Sequence, residues 1–147
     1  MKNDGKMINI RLVEETDVEK LYEMCVLFNS SETANTQQGV AEYLQKTDAI
    51  VCIAEIEQEA IGFITGVIEH NMSFNSPIGT ISELFVKEEY RQNGVAKQLF
   101  EQMEEAFLSK GVNRFRTFTT LDNTNAVKFY NNRGYSQIDM AMFRKDR

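Results

Sequence analysis

The sequence is sparing in the residues that build metal centres and covalent frameworks. Its 147 residues include no tryptophan, one histidine, one proline and two cysteines. Cys25 and Cys52 lie far apart, without a CxxC pair or a histidine cluster nearby. We therefore expect neither a disulfide framework nor a zinc site, and no other metal. Both cysteines are expected to be buried, reduced thiols.

Long apolar runs are also missing. No stretch approaches the length needed to span a bilayer, and residues 1–11 are polar and charged, without the apolar core of a signal peptide. A membrane partner is therefore not expected, and the expected location is the cytoplasm.

Positive charge is in short supply. Acidic residues outnumber basic ones 22 to 16, which gives a formal net charge of −6. A protein that follows a phosphate backbone normally carries a basic face, so nucleic acid is not an expected partner. An acidic surface favours a cationic one. Linkers, repeats and low-complexity tracts are absent too, so we expect one domain over residues 1–147.

The most informative stretch follows a short apolar run. Ile81–Val86 is rich in β-favouring residues, and after Gly94 the apolar residues recur at helical spacing, which predicts a strand, a tight loop and a helix. The start of a helix presents unpaired N–H groups and the positive end of its dipole, which suits a phosphate or pyrophosphate. Gly94 would let the backbone approach the anion closely, and Ala96 is small enough to keep the first turn accessible.

The remaining patterns predict the order β-α-α-β-β-β-α-β-α-β. The predicted strands are Ile8–Leu12, Ala49–Ile56, Ala60–Ile68, Ile81–Val86, Phe115–Thr120 and a closing strand Ser136–Phe143. The predicted helices begin at a capping box Thr16–Glu19, near Val40, after Gly94 and within the cap residues Leu121–Asn125. On the first helix the apolar face comprises Val18, Leu21, Tyr22, Cys25 and Phe28. The chain is thus an α/β protein with a mixed sheet covered by helices, and its polar loops at 29–38 and 70–79 are either site rims or simple connections.

Two motifs on these elements resemble one family. Arg91–Ala96 resembles the R/Q-x-x-G-x-G/A loop of the GNAT superfamily of N-acetyltransferases, with Ala96 in place of a second glycine. Asn125–Tyr135 loosely resembles the family's N-x-x-A-x-x-x-Y-x-x-x-G-F/Y ending, with Ala126 directly after Asn125. The element order also matches this fold, whose central mixed sheet is largely antiparallel and flanked by helices.

The resemblance implies that acetyl-CoA is the co-substrate. Backbone amides of the strand before the loop would hold the carbonyl and the pantetheine, at Leu84, Phe85 and Val86, with Val86 the best match. The pyrophosphate would be surrounded by Arg91, Gln92, Asn93, Gly94, Val95, Ala96 and Lys97. Asn125 would contact the coenzyme A arm, although a helix cap explains this residue almost as well.

Three side chains are candidates for proton transfer. Glu83 is a charged residue within a predicted strand, so it is either a general base acting through a water or a rim carboxylate paired with a cation. His70 is an alternative base, although a lone histidine at a strand end is more often a surface residue. Tyr130 matches the tyrosine that protonates the coenzyme A thiolate in many family members; otherwise it is a packed aromatic beside Phe129.

The leading functional hypothesis is an acetyl-CoA-dependent N-acetyltransferase whose acceptor is a small cationic amine or a peptide or protein amino group. The alternative is a non-catalytic acyl-CoA-binding regulatory module on the same fold, and a third reading is an unrelated α/β protein with a fortuitous loop. The sequence leaves open the identity of the acceptor, the length of the acyl group and the formation of a homodimer.

Overall fold

Five strands form one mixed sheet in the order β1-β2-β3-β4-β5. In the computed structural model, which describes residues 5–147, the strands are β1 Asn9–Leu12, β2 Ala49–Ile56, β3 Glu59–Glu69, β4 Ile78–Val86 and β5 Phe115–Thr117. The helices are α1 Val18–Asn29, α2 Gln37–Tyr43, α3 Val95–Ser109 and α4 Thr124–Asn132, with short 3-10 turns at Glu15–Asp17 and Glu88–Tyr90. Strands β1 to β4 pair antiparallel, and β5 runs parallel to β4. The predicted mixed, largely antiparallel sheet is confirmed.

The chain divides into two compact units. The first ends at Thr117 and contains the whole sheet, and the second is Phe118–Arg147, which contains α4. The single domain expected over residues 1–147 stays a prediction.

Strands β2 and β3 form the centre of the sheet. Nearly every residue of both strands is buried, which explains their continuous apolar runs, since a strand covered on both faces has no polar side. The predicted antiparallel hairpin between them is confirmed. Its turn places Glu57 at φ 50° and Gln58 at φ 70°, a left-handed pair that matches the twist of the flanking strands.

Helix α3 covers one face of the sheet. Its side chains Leu99, Phe100, Met103 and Phe107 are fully buried, as their spacing predicted. The helix lies close because the strands beneath it carry glycine: a Cβ on Gly66 would come within 2.6 Å of Met103 Sδ. Small residues in β3 and β4 therefore set the position of α3 and of the loop that precedes it.

Helices α1 and α2 cover the opposite face. Leu21, Met24 and Val40 pack there against Phe63 and Phe85 of the sheet. The predicted apolar face of α1 omitted Met24, which is 1% exposed. Phe28, which that face included, is partly exposed, but its ring centroid lies 5.4 Å from that of Phe85.

A buried ion network fixes the start of α1. The guanidinium of Arg11 donates to both oxygens of Asp17, at 2.7 and 2.8 Å, and to Glu55 at 2.8 Å. Asp17, only 2% exposed, also accepts a hydrogen bond from the backbone N–H of Glu14 at 2.7 Å. The capping box predicted at Thr16–Glu19 is therefore wrong: the box spans Glu14–Asp17, and its carboxylate is that of Asp17.

The sequence overestimated the strands near the C-terminus. Strand β5 ends at Thr117 rather than Thr120, and the segment Ser136–Phe143, predicted to close the sheet, is assigned no strand. Alternating apolar residues favour an extended chain, but a strand also needs a partner edge. Within Phe118–Arg147 the only regular element is α4, and a helix offers no such edge.

The structure also bears on membrane insertion. Among residues 5–147, no helix is both long and apolar enough to cross a bilayer.

Removing Arg11 should destabilise the fold most at neutral pH. The hydrogen bonds from Arg11 hold the pKa values of Asp17 and Glu55 below their usual range. Arg11→Met would leave two buried carboxylates without this partner, a change that typically costs about 3 kcal/mol. Urea unfolding at pH 7 would measure it, with Arg144→Met as the control because the Arg144–Asp146 pair is exposed.

The same pair of variants gives a pH test. The stabilisation in the parent protein is present above the carboxylates' unfolded pKa values, near 4, and is lost as the pH falls through their lower folded values. In Arg11→Met the carboxylates gain from protonation, so the difference in unfolding free energy should shrink from pH 7 towards pH 4. A difference that is independent of pH would contradict an electrostatic role for Arg11.

Candidate active site

Strand β4 contains a bulge at the edge of the site. Thr65 of β3 lies opposite Glu83, but the next residue, Gly66, lies opposite Ile81. Ser82 is therefore an extra residue on β4, and Ser82 and Glu83 are both exposed although they are consecutive. A bulge bends its strand and redirects side chains. Here Glu83 is exposed, although Thr65, which lies opposite it, is buried.

Beyond the bulge, no strand among residues 5–117 other than β3 pairs with β4, and we call the unpaired side its free side. Strand β5 pairs with β4 only over Gly79–Ile81. Lys87 donates its N–H to the Ile61 carbonyl at 2.8 Å, so Val86 and the residue opposite it, Gly62, form a non-hydrogen-bonded pair. Val86 therefore directs its N–H away from β3.

Along β4 the backbone N–H groups point alternately towards β3 and away from it, so the three residues predicted to hold the co-substrate do not all face the free side. Leu84 lies two residues before Val86 and points its N–H in the same outward direction, whereas the N–H of Phe85 points towards β3. The ring of Phe85 is buried against Phe63, with centroids 5.7 Å apart. Of the three residues, Leu84 and Val86 present backbone groups at the open side, and Phe85 anchors the strand.

The loop after β4 is held by its own side chains. Arg91 Nε donates to the Val86 carbonyl at 2.9 Å. Asn93 Nδ2 donates to the carbonyls of Tyr90 and Arg91 at 3.1 and 2.9 Å. Tyr90 is buried and donates its hydroxyl to Glu59 at 2.9 Å. The sequence placed Arg91 and Asn93 beside the pyrophosphate; the structure shows that their side chains hold the loop in shape.

The loop leads into the N-terminus of α3 through two left-handed residues. Gln92 has φ 64° and Gly94 has φ 81°. A Cβ built on Gly94 would meet no atom within 4 Å, so the space beside this glycine is open. The first turn of the helix bonds from Gln98 N–H to the Gly94 carbonyl at 3.1 Å. The N–H groups of Val95, Ala96 and Lys97 precede that bond, so they have no acceptor within the helix.

A cavity of about 130 Å³ lies on the face of the sheet that α1 and α2 cover, between these two helices and the strands. Its lining residues are Leu21, Cys25, Asn29, Asn35, Val40, Tyr43, Leu44, Val51, Phe63, Thr65 and Glu83. Glu83 accepts a hydrogen bond from Thr65 Oγ1 at 3.2 Å. The sequence analysis identified Glu83 but not the cavity, because its walls come from five elements that no local pattern connects.

Glu83 influences two acidic groups in this cavity. Burial raises the pKa of the Cys25 thiol, and the negative charge of Glu83 raises it further. The same two causes, in the same order, raise the pKa of Tyr43. Both groups are therefore neutral at pH 7. Cys25 is half-buried and Cys52 fully buried, and neither is in a disulfide.

The other predicted side chains lie elsewhere. His70 is exposed and directly follows β3, about 16 Å along the chain from Thr65 at the rise of an extended strand. The fold therefore does not place His70 next to Glu83. Asn125 is exposed within α4, whose N-cap is Asn123: its Oδ1 accepts the N–H of Ala126 at 3.2 Å. Asn125 is thus not a helix cap.

Tyr130 lies in the second unit, on α4. It is half-buried, and its ring centroid lies 5.7 Å from that of Phe129 and 6.3 Å from that of Tyr135. The Tyr130 carbonyl accepts the N–H groups of Arg133 and Tyr135 at 3.0 and 3.1 Å, which ends the helix before Gly134 at φ 86°.

A metal centre has no counterpart in the part of the chain that the structure describes. Residues 5–147 contain no group of three or more histidine, cysteine, aspartate or glutamate side chains arranged to hold a metal ion.

Known proteins share this architecture. The chain matches the acetyltransferase (GNAT) family over residues 16–135. It is 30% identical over 109 residues to aminoglycoside N(6')-acetyltransferase type 1 of Salmonella typhimurium (strain LT2), covering 72% of this chain and 75% of that protein. Aminoglycoside N-acetyltransferase AAC(6')-Iy, solved in complex with CoA, superimposes with a TM-score of 0.80 at 26% identity, over 95% of this chain and 99% of the other.

A structure with a different acceptor in its name is also similar. Ribosomal-protein-alanine N-acetyltransferase from Brucella melitensis biovar Abortus 2308 has a TM-score of 0.81 at 14% identity, over 95% of this chain and 99% of the other. At that identity the likeness shows the fold alone. The matched segment, the glycine loop before α3 and the free side of β4 agree with one another: the chain belongs to the acetyltransferase (GNAT) family and is an acetyl-CoA-dependent N-acetyltransferase.

Proposed function

We propose that the protein transfers an acetyl group from acetyl-CoA directly to a primary amine while both are bound. The amine nitrogen attacks the thioester carbonyl, a C–N bond forms, the C–S bond breaks, and the thiolate leaves. Neither a covalent enzyme intermediate nor a metal is required, so the protein contributes by positioning, by polarising the carbonyl and by moving protons.

One observation carries this proposal: the free side of β4 leads directly into an open glycine loop and a helix N-terminus. The outward N–H groups of Leu84 and Val86 would bind the pantetheine arm and the thioester carbonyl. The N–H groups of Gly94, Val95 and Ala96 would bind the pyrophosphate, aided by the helix dipole. Acetyl-CoA would then run along β4 with its phosphates at α3.

The reaction needs two proton transfers, and we assign one side chain to each. The amine must lose a proton, and Glu83 would accept it through a water. The departing thiolate must gain one, and Tyr130 on α4 would donate it. The non-catalytic alternative, an acyl-CoA-binding regulatory module, is not favoured, because the curated relative that the chain matches is itself named as an acetyltransferase.

The acceptor is either a small cationic amine or a peptide or protein amino group. The carboxylate of Glu83 favours a cation. We also propose a cytoplasmic location, and leave a homodimer as a further hypothesis.

Gly94→Asp should weaken acetyl-CoA binding at least about tenfold, since about 1.4 kcal/mol suffices for that loss. The substitution places a side chain and a negative charge where the pyrophosphate would approach, and two like charges near a surface repel by more than this at contact distance. Calorimetric titration with acetyl-CoA would measure the affinity.

Gly111 supplies the matched control. It lies at the opposite end of α3, has φ 78°, and a Cβ there also meets no atom within 4 Å. Gly111→Asp therefore imposes the same backbone strain without approaching the loop, and it should bind acetyl-CoA normally. If a folded Gly94→Asp variant bound acetyl-CoA as tightly as the parent protein does, the proposal that this loop binds the pyrophosphate would be wrong.

Glu83→Gln should reduce turnover most at low pH. Below the pKa of the acceptor amine its ammonium form must lose a proton, so a general base contributes there and becomes unnecessary at high pH. The ratio of parent to variant kcat/KM should therefore fall as the pH rises. Ser82→Ala, the adjacent exposed position of the bulge, is the control. A loss that is equal at every pH would indicate positioning or stability instead.

Tyr130→Phe should lower kcat about a hundredfold, the usual size of a contribution from a positioned acid. The change keeps the ring and its packing against Phe129, so acetyl-CoA affinity and Tm should stay close to those of the parent protein. Tyr135→Phe removes a hydroxyl from the neighbouring ring and should leave kcat intact. Normal turnover of Tyr130→Phe, with chemistry shown to be rate-limiting, would refute the role.

A further inference from the structure

We propose that the cavity between α1, α2 and the sheet binds the body of the acceptor, and that the acceptor is a primary amine with one positive charge and a compact apolar body. This inference rests on the proposed acetyl transfer and specifies which amine the site takes.

The walls of the cavity are mainly apolar and come from regular elements. Leu21 and Val40 are buried on α1 and α2, and Val51 and Phe63 are buried on the sheet. Because these residues also belong to the packed core, the cavity has a fixed shape. Apolar walls of this kind favour a ligand that exchanges water contacts for carbon contacts.

The size of the cavity limits the acceptor. Its volume is about 130 Å³, and an apolar protein cavity of roughly 150 Å³ accommodates benzene. The cavity is open to solvent on one side, and a single ring or a short branched chain fills its interior. A molecule of several linked sugar rings would have to leave most of its body outside it.

The charges around the cavity limit the acceptor further. Glu83 is the one carboxylate among the lining residues, so it can compensate a single ammonium group. A second ammonium inside would lose water and meet only the uncharged amides of Asn29 and Asn35 and the hydroxyls of Tyr43 and Thr65, with no second carboxylate to balance its charge. Lys46 Nζ already lies 5.3 Å from the ring centroid of Tyr43, so the positive charge beside that wall also opposes a second cation.

The position of Glu83 connects the cavity to the chemistry. Glu83 lines the cavity, and the next residue, Leu84, directs its N–H to the free side of β4. An ammonium held by Glu83 lies beside the strand that would carry the thioester. The apolar body would extend from there towards Cys25 and Val40.

An acceptor panel tests the inference. Thiol release from acetyl-CoA would be measured with benzylamine, methylamine, spermidine and the aminoglycoside kanamycin at equal ionic strength. We expect kcat/KM for benzylamine to exceed that for each of the other three at least tenfold. Preference for spermidine or kanamycin would overturn the inference while leaving acetyl transfer in place. Failure of every amine, with acetyl-CoA still bound, would instead refute the proposed function.

A filled cavity gives the second test. Cys25→Phe adds a ring at a half-buried wall position, so KM for benzylamine should rise at least tenfold with acetyl-CoA affinity unchanged. Leu27→Phe is the control, because Leu27 lies on the same helix but is 64% exposed. An unchanged KM in a folded Cys25→Phe variant would overturn the inference.

Protection of Cys25 from alkylation tests binding without turnover. Cys52 is fully buried, which raises its pKa to about 11, so N-ethylmaleimide should modify Cys25 first. Benzylamine should slow that modification at least severalfold, whereas methylamine, which has no body to fill the cavity, should not. Mass spectrometry would follow the two sites. Equal rates with and without saturating benzylamine would contradict the inference.

Discussion

The site depends on a strand that is paired on only one side. Strand β4 is hydrogen-bonded to β3 along its length, but β5 accompanies it only as far as Ile81. Backbone N–H groups need acceptors, and those that Leu84 and Val86 direct away from β3 face an edge that β5 does not cover. A ligand with amide and carbonyl groups can add to such an edge as a further strand would. The amide-bearing arm of coenzyme A is chemically suited to this.

A strand with a free edge binds precisely only if its other side is rigid. Here the neighbour is β3, a strand buried on both faces, and the close packing at Gly66 holds α3 against it. Arg91 then ties the loop to the last residue of β4 through the Val86 carbonyl. The N–H groups proposed to bind the thioester and the pyrophosphate are therefore positioned by one continuous hydrogen-bonded unit. Side chains shape the loop, and the backbone is left to bind the anion.

Local sequence patterns predicted what depends on local interactions. The β2–β3 hairpin and the start of α3 after Gly94 each follow from a few neighbouring residues. The bulge at Ser82 was not predictable in this way, because it is defined by register against β3. Nor was the role of Asp17, whose partner Arg11 acts from another element. The missing closing strand has the same cause, since alternation describes a chain and not its partner.

The net charge of the chain does not predict the local charge at the two parts of the site, the first turn of α3 and the cavity at Glu83. The chain carries a charge of −6, yet the first turn of α3 contains no acidic residue and does contain Lys97. Glu83 lies on the other side, where the cavity needs one negative group. Because exposed charges are screened over about 8 Å at physiological salt, the acidic surface elsewhere contributes little at either position. The sign of each half is set by the residues within that distance, so an anionic co-substrate and a cationic acceptor can bind beside the same strand.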